Sequence, residues 1–227
     1  MKPIEKFTGF SPETFNFFSE LKENNYKPWF EEHKAVYERA VLQPLKALVL
    51  AMTPAMYSID SQMNFHPNKI VSRIYRDIRF SKDKSPYKTN MWITFQRNVP
   101  DWEGFPGFYM EINEEGYQYG MGLYNAKKNV MEEFRAKVEF DPESFREMTK
   151  DLIGKHRFVF GGDEYKRPLN NSLPDYFQPW MQRKSIYLYK NCSTGKELFD
   201  EGFARHLSGE FELLQPLYHW MVDICEE

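Results

Sequence analysis

"GFYMEINEEGYQYGMGLY", residues 107–124, decides the fold. Phe108, Met110 and Ile112 alternate with more polar neighbours, and the second half is again aromatic, so the stretch reads as two strands. The four residues "NEEG" between them are turn formers, which makes the pair an antiparallel hairpin. "GMG" at 120–122 is too short for a nucleotide fingerprint; inside a strand, glycine marks a bulge or a close backbone approach. The aromatic residues of "YQYGMGLY" supply core on one face. The tyrosines of its other face, Tyr124 among them, are placed to line a pocket.

Working outward, "NMWITFQR" alternates and is rich in strand formers, giving a strand over 91–97. Residues 70–77 are ambiguous, because Ile70, Ile74 and Ile78 fit both a helical step of four and alternate strand positions. The β-branched content favours a strand. The N-terminal third is helical. Ser11 is an N-cap, Pro12 takes the first helical position, Phe15, Phe18 and Leu21 form one stripe, and Asn24 and Asn25 stop it. A second helix starts near Pro28, with Trp29, His33, Val36, Tyr37 and Ala40 on one face. A third runs from Pro44, with Leu45, Leu48, Val49 and Met52, and ends before Pro54.

After residue 125 helices return. Val130, Phe134 and Val138 recur at intervals of four, and Asp141 caps a helix that begins at Pro142 and ends at Gly154. "FVFGGDEYKRPL" and "SIYLY" read as short strands, and about Lys196 to Ile224 as two helices. With no repeat or linker to divide it, residues 1–227 are expected to form a single α+β domain. Its centre is a mostly antiparallel sheet packed by N- and C-terminal helices.

Composition narrows the function. Aromatic residues are 17% of the chain, which excludes a disordered protein. The N-terminus has no apolar core of signal-peptide length, and the most apolar run, "AVLQPLKALVLAMTPAM", is interrupted by Gln43, Pro44, Lys46 and Pro54, so no membrane association is expected. Cys192 and Cys225 lie far apart and read as reduced thiols of a cytoplasmic protein. The five histidines are scattered without metal-ligand spacing, and His206 with Glu210 reads as a solvated helical pair, so no metal site is expected. Phosphate-cradling and nucleophile-elbow motifs are absent, and no cofactor fingerprint appears.

The unusual chemistry lies in "RIYRDIRFSKDKSPYKTN", residues 73–90, where six basic and two acidic residues fall in eighteen positions. The whole chain carries a net charge of −3, so this is a local attractor within an acidic protein, a balance unlike that of a dedicated duplex-DNA binder. Arginines present flat forks of donors to phosphate or carboxylate, whereas lysines act as point charges. As a strand, the segment would put Arg73, Asp77 and Arg79 on one face and Ile74, Arg76 and Ile78 on the other. Arg76 would then be the more buried arginine and need a partner of its own. "SKDKSPYK" is loop chemistry in which Ser81 and Ser85 bond nearby backbone and Lys82, Lys84, Tyr87 and Lys88 offer donors to an anion. A second basic segment offers Lys166, Arg167, Arg183 and Lys184.

"SRIYRDIRFSKDKSPYKTN" resembles the signature of the domain-of-unknown-function 2461 family, a widespread and mostly bacterial group. "YGMGLYNA" is similar to the family's Gly-Leu-Tyr strand, and "GGDEYKRPL" followed by "LPDYFQPWMQRKSIYLY" to its second basic segment, closed by an Arg-Lys pair. Where a His-Pro is expected after that segment the chain has "PDYF", with Tyr176. The resemblance implies no established mechanism.

Two kinds of function fit these residues, beside a purely structural role in which the cations pair with surface carboxylates. In one, Arg73, Arg76 and Arg79 clamp a small phosphorylated or carboxylated ligand, with Asp77 or Tyr87 as the proton-transfer group of any reaction. In the other, the segment is a surface for single-stranded nucleic acid or an acidic protein, helped by Tyr75, Phe80 and Tyr87. A concave site favours the first reading and a flat strip the second.

Overall fold

The computed structural model describes residues 4–79, 82–100 and 104–226. Phe80 and Ser81, expected to take aromatic and turn roles, lie outside the described residues. The architecture is α+β, with a five-stranded antiparallel sheet in the order β1-β2-β3-β5-β4. The strands are β1 (Asn90–Gln96), β2 (Gly107–Asn113), β3 (Gly116–Leu123), β4 (Val159–Gly161) and β5 (Ile186–Ser193).

The hairpin forms as its alternation dictates. Met91, Ile93 and Phe95 of β1, Phe108, Met110 and Ile112 of β2, and Met121 and Leu123 of β3 are all fully buried, while most of the intervening side chains of β1 and β2 are partly exposed. The glycines of "GMG" act as close-approach residues. A Cβ on Gly120 would stand 2.1 Å from the Leu188 carbonyl oxygen, so the backbones of β3 and β5 meet only because none is there.

The N-terminal helices are α1 (Pro12–Glu23), α2 (Lys27–Val36) and α3 (Gln43–Ile59), and a short α4 (Pro67–Ile70) follows. The second and third helices expected from the sequence are one continuous run, joined by a π-helical turn over Tyr37–Leu42. That turn accommodates Pro44, which has no N–H to give to the Ala40 carbonyl. The buried Thr14 hydroxyl of α1 donates to that carbonyl instead, at 2.7 Å. Pro54 does not end α3 either, since the helix continues to Ile59. The run over Lys27–Ile59 is therefore long and apolar enough to cross a membrane, contrary to the break expected at its prolines. Leu45, Leu48, Val49, Met52 and Met56 of this run are fully buried in the protein's own core.

Downstream come α5 (Lys128–Phe140), α6 (Pro142–Gly154), α7 (Gln178–Met181) and α8 (Phe203–Glu226). Asp141 caps α6 as its sequence implies, accepting from the Ser144 amide at 3.1 Å. The C-terminal stretch is not two α-helices. A 3-10 turn over Lys196–Phe199 precedes α8, which passes through Pro216.

The chain forms two compact units. The first comprises residues 1–95, 109–118 and 191–209; the second comprises 96–108, 119–190 and 210–227. Both draw residues from β2, β3, β5 and α8. In the first unit Phe7, Phe10, Phe203 and Tyr117 form one aromatic cluster, and Phe17, Trp29, Phe30 and Tyr37 another. In the second, Phe134, Phe145, Trp180 and Trp220 pack together, as do Phe108, Phe211 and Tyr119.

Candidate functional site

Residues 70–77 do not form the expected strand. Ile70 ends α4, and beyond it the chain makes isolated antiparallel bridges, Val71 with Ile93 and Tyr75 with Tyr87. The partner changes within four residues, so no ladder develops. Hydrogen bonds hold the resulting loop at its base: Ser72 N to Trp92 O at 2.8 Å, Arg76 N to Pro86 O at 2.9 Å and Lys88 N to Ile74 O at 2.8 Å. Ile74 is buried, but Ile78, which a strand would have turned to the core, is 46% exposed.

A residue distant in sequence fixes the loop's return. The Asn25 side chain donates to the Tyr87 carbonyl at 3.0 Å and accepts from the Tyr87 amide at 3.1 Å, doing for one residue what a neighbouring strand would do. The Tyr87 ring is buried and stacks on Phe30 with centroids 4.1 Å apart. Tyr87 thus anchors the loop. Burial, with the neighbouring Tyr75 hydroxyl, pushes its own hydroxyl pKa up, which makes it a poor proton donor near neutrality.

The arginines divide as the expected order of burial has them. The Arg76 side chain is 24% exposed and that of Arg79 75%. Arg76 Nη2 donates to the Tyr87 carbonyl and lies 3.1 Å from Asp83 Oδ2, while its buried Nε has no hydrogen-bond partner among the described residues. The partner is thus a loop carboxylate. Arg79 grips Asp77 through Nε and Nη2 at 3.0 and 2.7 Å. That fork holds the Asp77 carboxyl down at about 2, so at neutral pH it is a fixed carboxylate with little basicity. Lys84 caps the Ile78 carbonyl at 2.7 Å, and Asp83 accepts from the Ser85 amide. Lys82 is exposed.

Two cations, Arg73 and Lys88, remain without such partners at the base of the loop. Arg73 is exposed and makes no hydrogen bond or ion pair among the described residues. Lys88 is half-buried, with its ammonium 3.8 Å above the centre of the Trp92 ring, and among the described residues its side chain has no hydrogen bond or salt bridge either. Burial first, then the Arg73 and Arg76 charges, push the Lys88 pKa down to about 8, against a weaker upward pull from Glu111. Asn25, Trp92 and Glu111 carry no local sequence signal for this role. Only the fold brings them to the basic loop.

The second basic segment lies in the other compact unit. Arg183 is buried and committed: Nη1 donates to the Gly162 carbonyl at 2.7 Å, Nε to the Pro179 carbonyl at 3.0 Å, and Nη2 pairs with Glu164 at 2.9 Å. Lys166 and Arg167 are exposed. Tyr124 is 69% exposed, its ring 5.6 Å from that of Tyr187. Tyr176 stands 2.8 Å from the Thr149 hydroxyl, so the place of the expected histidine holds a structural contact.

A cavity of about 340 Å³ lies elsewhere in the first unit, between residues 5–13 and the π-helical turn, with Ser11, Arg39 and Gln43 in its wall. None of the site residues expected from the sequence lines it. Among the described residues no three His, Cys, Asp or Glu side chains come together as a metal site would require.

Residues 13–220 match the family model of the conserved hypothetical protein DUF2461, and the chain belongs to that family. A search of curated proteins finds no match.

Proposed function

We propose that, in this member of the family, the base of the 72–88 loop binds the anionic group of a small phosphorylated or carboxylated molecule. One observation carries the reading: Arg73 and Arg76 lie close enough for their charges to act on the half-buried Lys88, which makes no salt bridge among the described residues. Like charges that Asp83 and Glu111 offset only in part cost folding free energy, and an anion relieves that cost. Arg73 supplies an uncommitted fork, Lys88 a point charge, and Arg76 a guanidinium already oriented by Asp83 and the Tyr87 carbonyl. Arg79, paired with Asp77, and Lys82 and Lys84 lie further along the same loop and add to its positive charge. Cys192 and Cys225 form no disulfide among the described residues, in keeping with a cytoplasmic setting. The second basic segment, with Lys166, Arg167 and Tyr124, has no assigned part in this reading.

Phosphate or sulfate, against chloride at matched ionic strength, should raise the melting temperature of the wild-type protein by mass action. Arg73→Ala should abolish most of the gain. An equal response in both proteins would refute the site.

A nucleic-acid reading draws on Tyr75, 55% exposed beside these cations. It requires tight, sequence-tolerant binding of single-stranded oligonucleotides at physiological salt. The small-anion reading expects weak binding that falls steeply with added salt.

A further inference from the structure

We propose that the cavity beside the π-helical turn binds a short, uncharged stretch of peptide backbone, taken from the inside of a polypeptide segment. None of the basic-loop residues lines it, and the inference does not depend on the anion reading.

The volume of about 340 Å³ lies within the range of small-molecule sites. One wall is the segment over residues 5–9, which belongs to no helix or strand. Among the described residues, no backbone N–H or C=O of that segment has a hydrogen-bond partner. The segment is nonetheless anchored. Phe7 and Phe10 are buried, and the Phe10 N–H donates to the Leu198 carbonyl at 2.8 Å. Gly9, at φ 101°, approaches the Phe199 backbone so closely that a Cβ would stand 2.5 Å from its carbonyl carbon.

The other wall is the π-helical turn and the start of α3, where Arg39, Ala40, Gln43 and Pro44 line the space. Two carbonyls lose their helical donors here. Thr14 serves that of Ala40. That of Arg39 has no such substitute among the described residues. The Gln43 N–H that an α-helix would give it goes to Glu38 instead, and Pro44, next in the π-helical pattern, has no N–H. A helical carbonyl points along the axis towards the residues one turn ahead, so the Arg39 oxygen lies in the wall that Gln43 and Pro44 build. The partly exposed Gln43 carboxamide also makes no hydrogen bond among the described residues.

The lining charges are mostly committed to one another. Arg39 pairs with Glu13, and Lys6 with Glu201 at 2.7 Å, which leaves only the exposed Glu5 without an ion pair among the described residues. What stays open is neutral: a run of peptide N–H and C=O groups, a carboxamide and an orphaned carbonyl, beside the apolar surface of Phe7, Pro44 and Ala47. Closely spaced donors and acceptors with small apolar groups between them are the complement of a peptide backbone, which would pair with residues 5–9 as a neighbouring strand does.

The probe is N-acetyl-alanyl-alanine N-methylamide, titrated into the full chain and followed by amide NMR. It should shift the Lys6, Thr8 and Gly9 resonances with a dissociation constant on the order of 1 mM, as suits a ligand of its size, and leave Tyr87 and Lys88 unmoved. The analogue with an ester in place of the central amide keeps the shape but loses a donor, and should bind about fivefold more weakly. Gln43→Ala, a change at a partly exposed position, should weaken the amide probe by about the same factor. Trialanine with free termini should also bind more weakly, since each lining cation already holds a carboxylate. Absence of shifts at residues 6–9 well above that concentration would overturn the proposal. Equal affinity for amide and ester would overturn it too, because the cavity would then read only apolar bulk. An unchanged affinity in Gln43→Ala, or a preference for trialanine, would count against it equally.

Discussion

Replacing Lys88 by methionine should stabilise the protein at neutral pH. The substitution keeps an unbranched apolar stem against Trp92 and removes a half-buried charge with no salt bridge among the described residues. The folded pKa of about 8 lies below the unfolded value near 10.5, so the unfolded chain binds the proton more tightly and the charged lysine penalises folding. The penalty is complete below about pH 8 and disappears as pH rises towards 10.5. A tenfold difference in proton affinity between the two states corresponds to about 1.4 kcal/mol. Because the group is half exposed, and the substitution also forfeits the cation–π contact with Trp92, the net gain falls to about 1–2 kcal/mol. For a chain of this size that is a gain of roughly 3–6 °C in melting temperature at pH 7. Calorimetric melts of both proteins at pH 7 and pH 10, without phosphate, should show the difference at the lower pH and its near disappearance at the higher. A variant less stable than wild type at pH 7, or a difference unchanged by pH, would refute the electrostatic account of the cluster.

Arg76→Ala should cost about 2 kcal/mol in denaturant unfolding, because it strips a largely buried guanidinium from Asp83 and the Tyr87 carbonyl, whereas Arg79→Ala at the exposed fork should cost clearly less. Asn25→Ala removes both hydrogen bonds that clamp Tyr87 and should cost about 2–3 kcal/mol, with amide exchange accelerated most at Tyr87 and Lys88. Thr14→Val leaves the Ala40 carbonyl without its side-chain donor and should cost about 1–3 kcal/mol in the same unfolding assay, with phosphate stabilisation retained.

The hairpin and the central strands were legible because alternation, turn residues and aromatic content all point the same way over 107–124. The helix around Pro44 was not. A proline normally marks a boundary, and here a hydroxyl from α1 and a π-helical turn absorb its missing donor. The basic loop was visible as composition, but its geometry depends on long-range partners. Ile70, Ile74 and Ile78 suggested a strand, yet Val71 and Tyr75 bridge different segments, and Ile78 stays in solvent. Greater burial of Arg76 than of Arg79 followed from the alternation argument even though no strand forms. Tyr87 and Arg183 were read as ligand donors from their chemistry, and the fold commits the first to Phe30 and the second to Gly162, Pro179 and Glu164. Lys88, one cation among six in residues 73–90, stands out only once Trp92 and Arg73 are near it.

The titration of Lys88 itself, followed by NMR at its ε-carbon with and without inorganic phosphate, bears most directly on the proposed anion site. Without phosphate the midpoint should lie near pH 8. With saturating phosphate it should rise to about pH 9 or above, because a bound anion favours the ammonium. A midpoint near the ordinary lysine value, or one that phosphate leaves unmoved, would contradict the site.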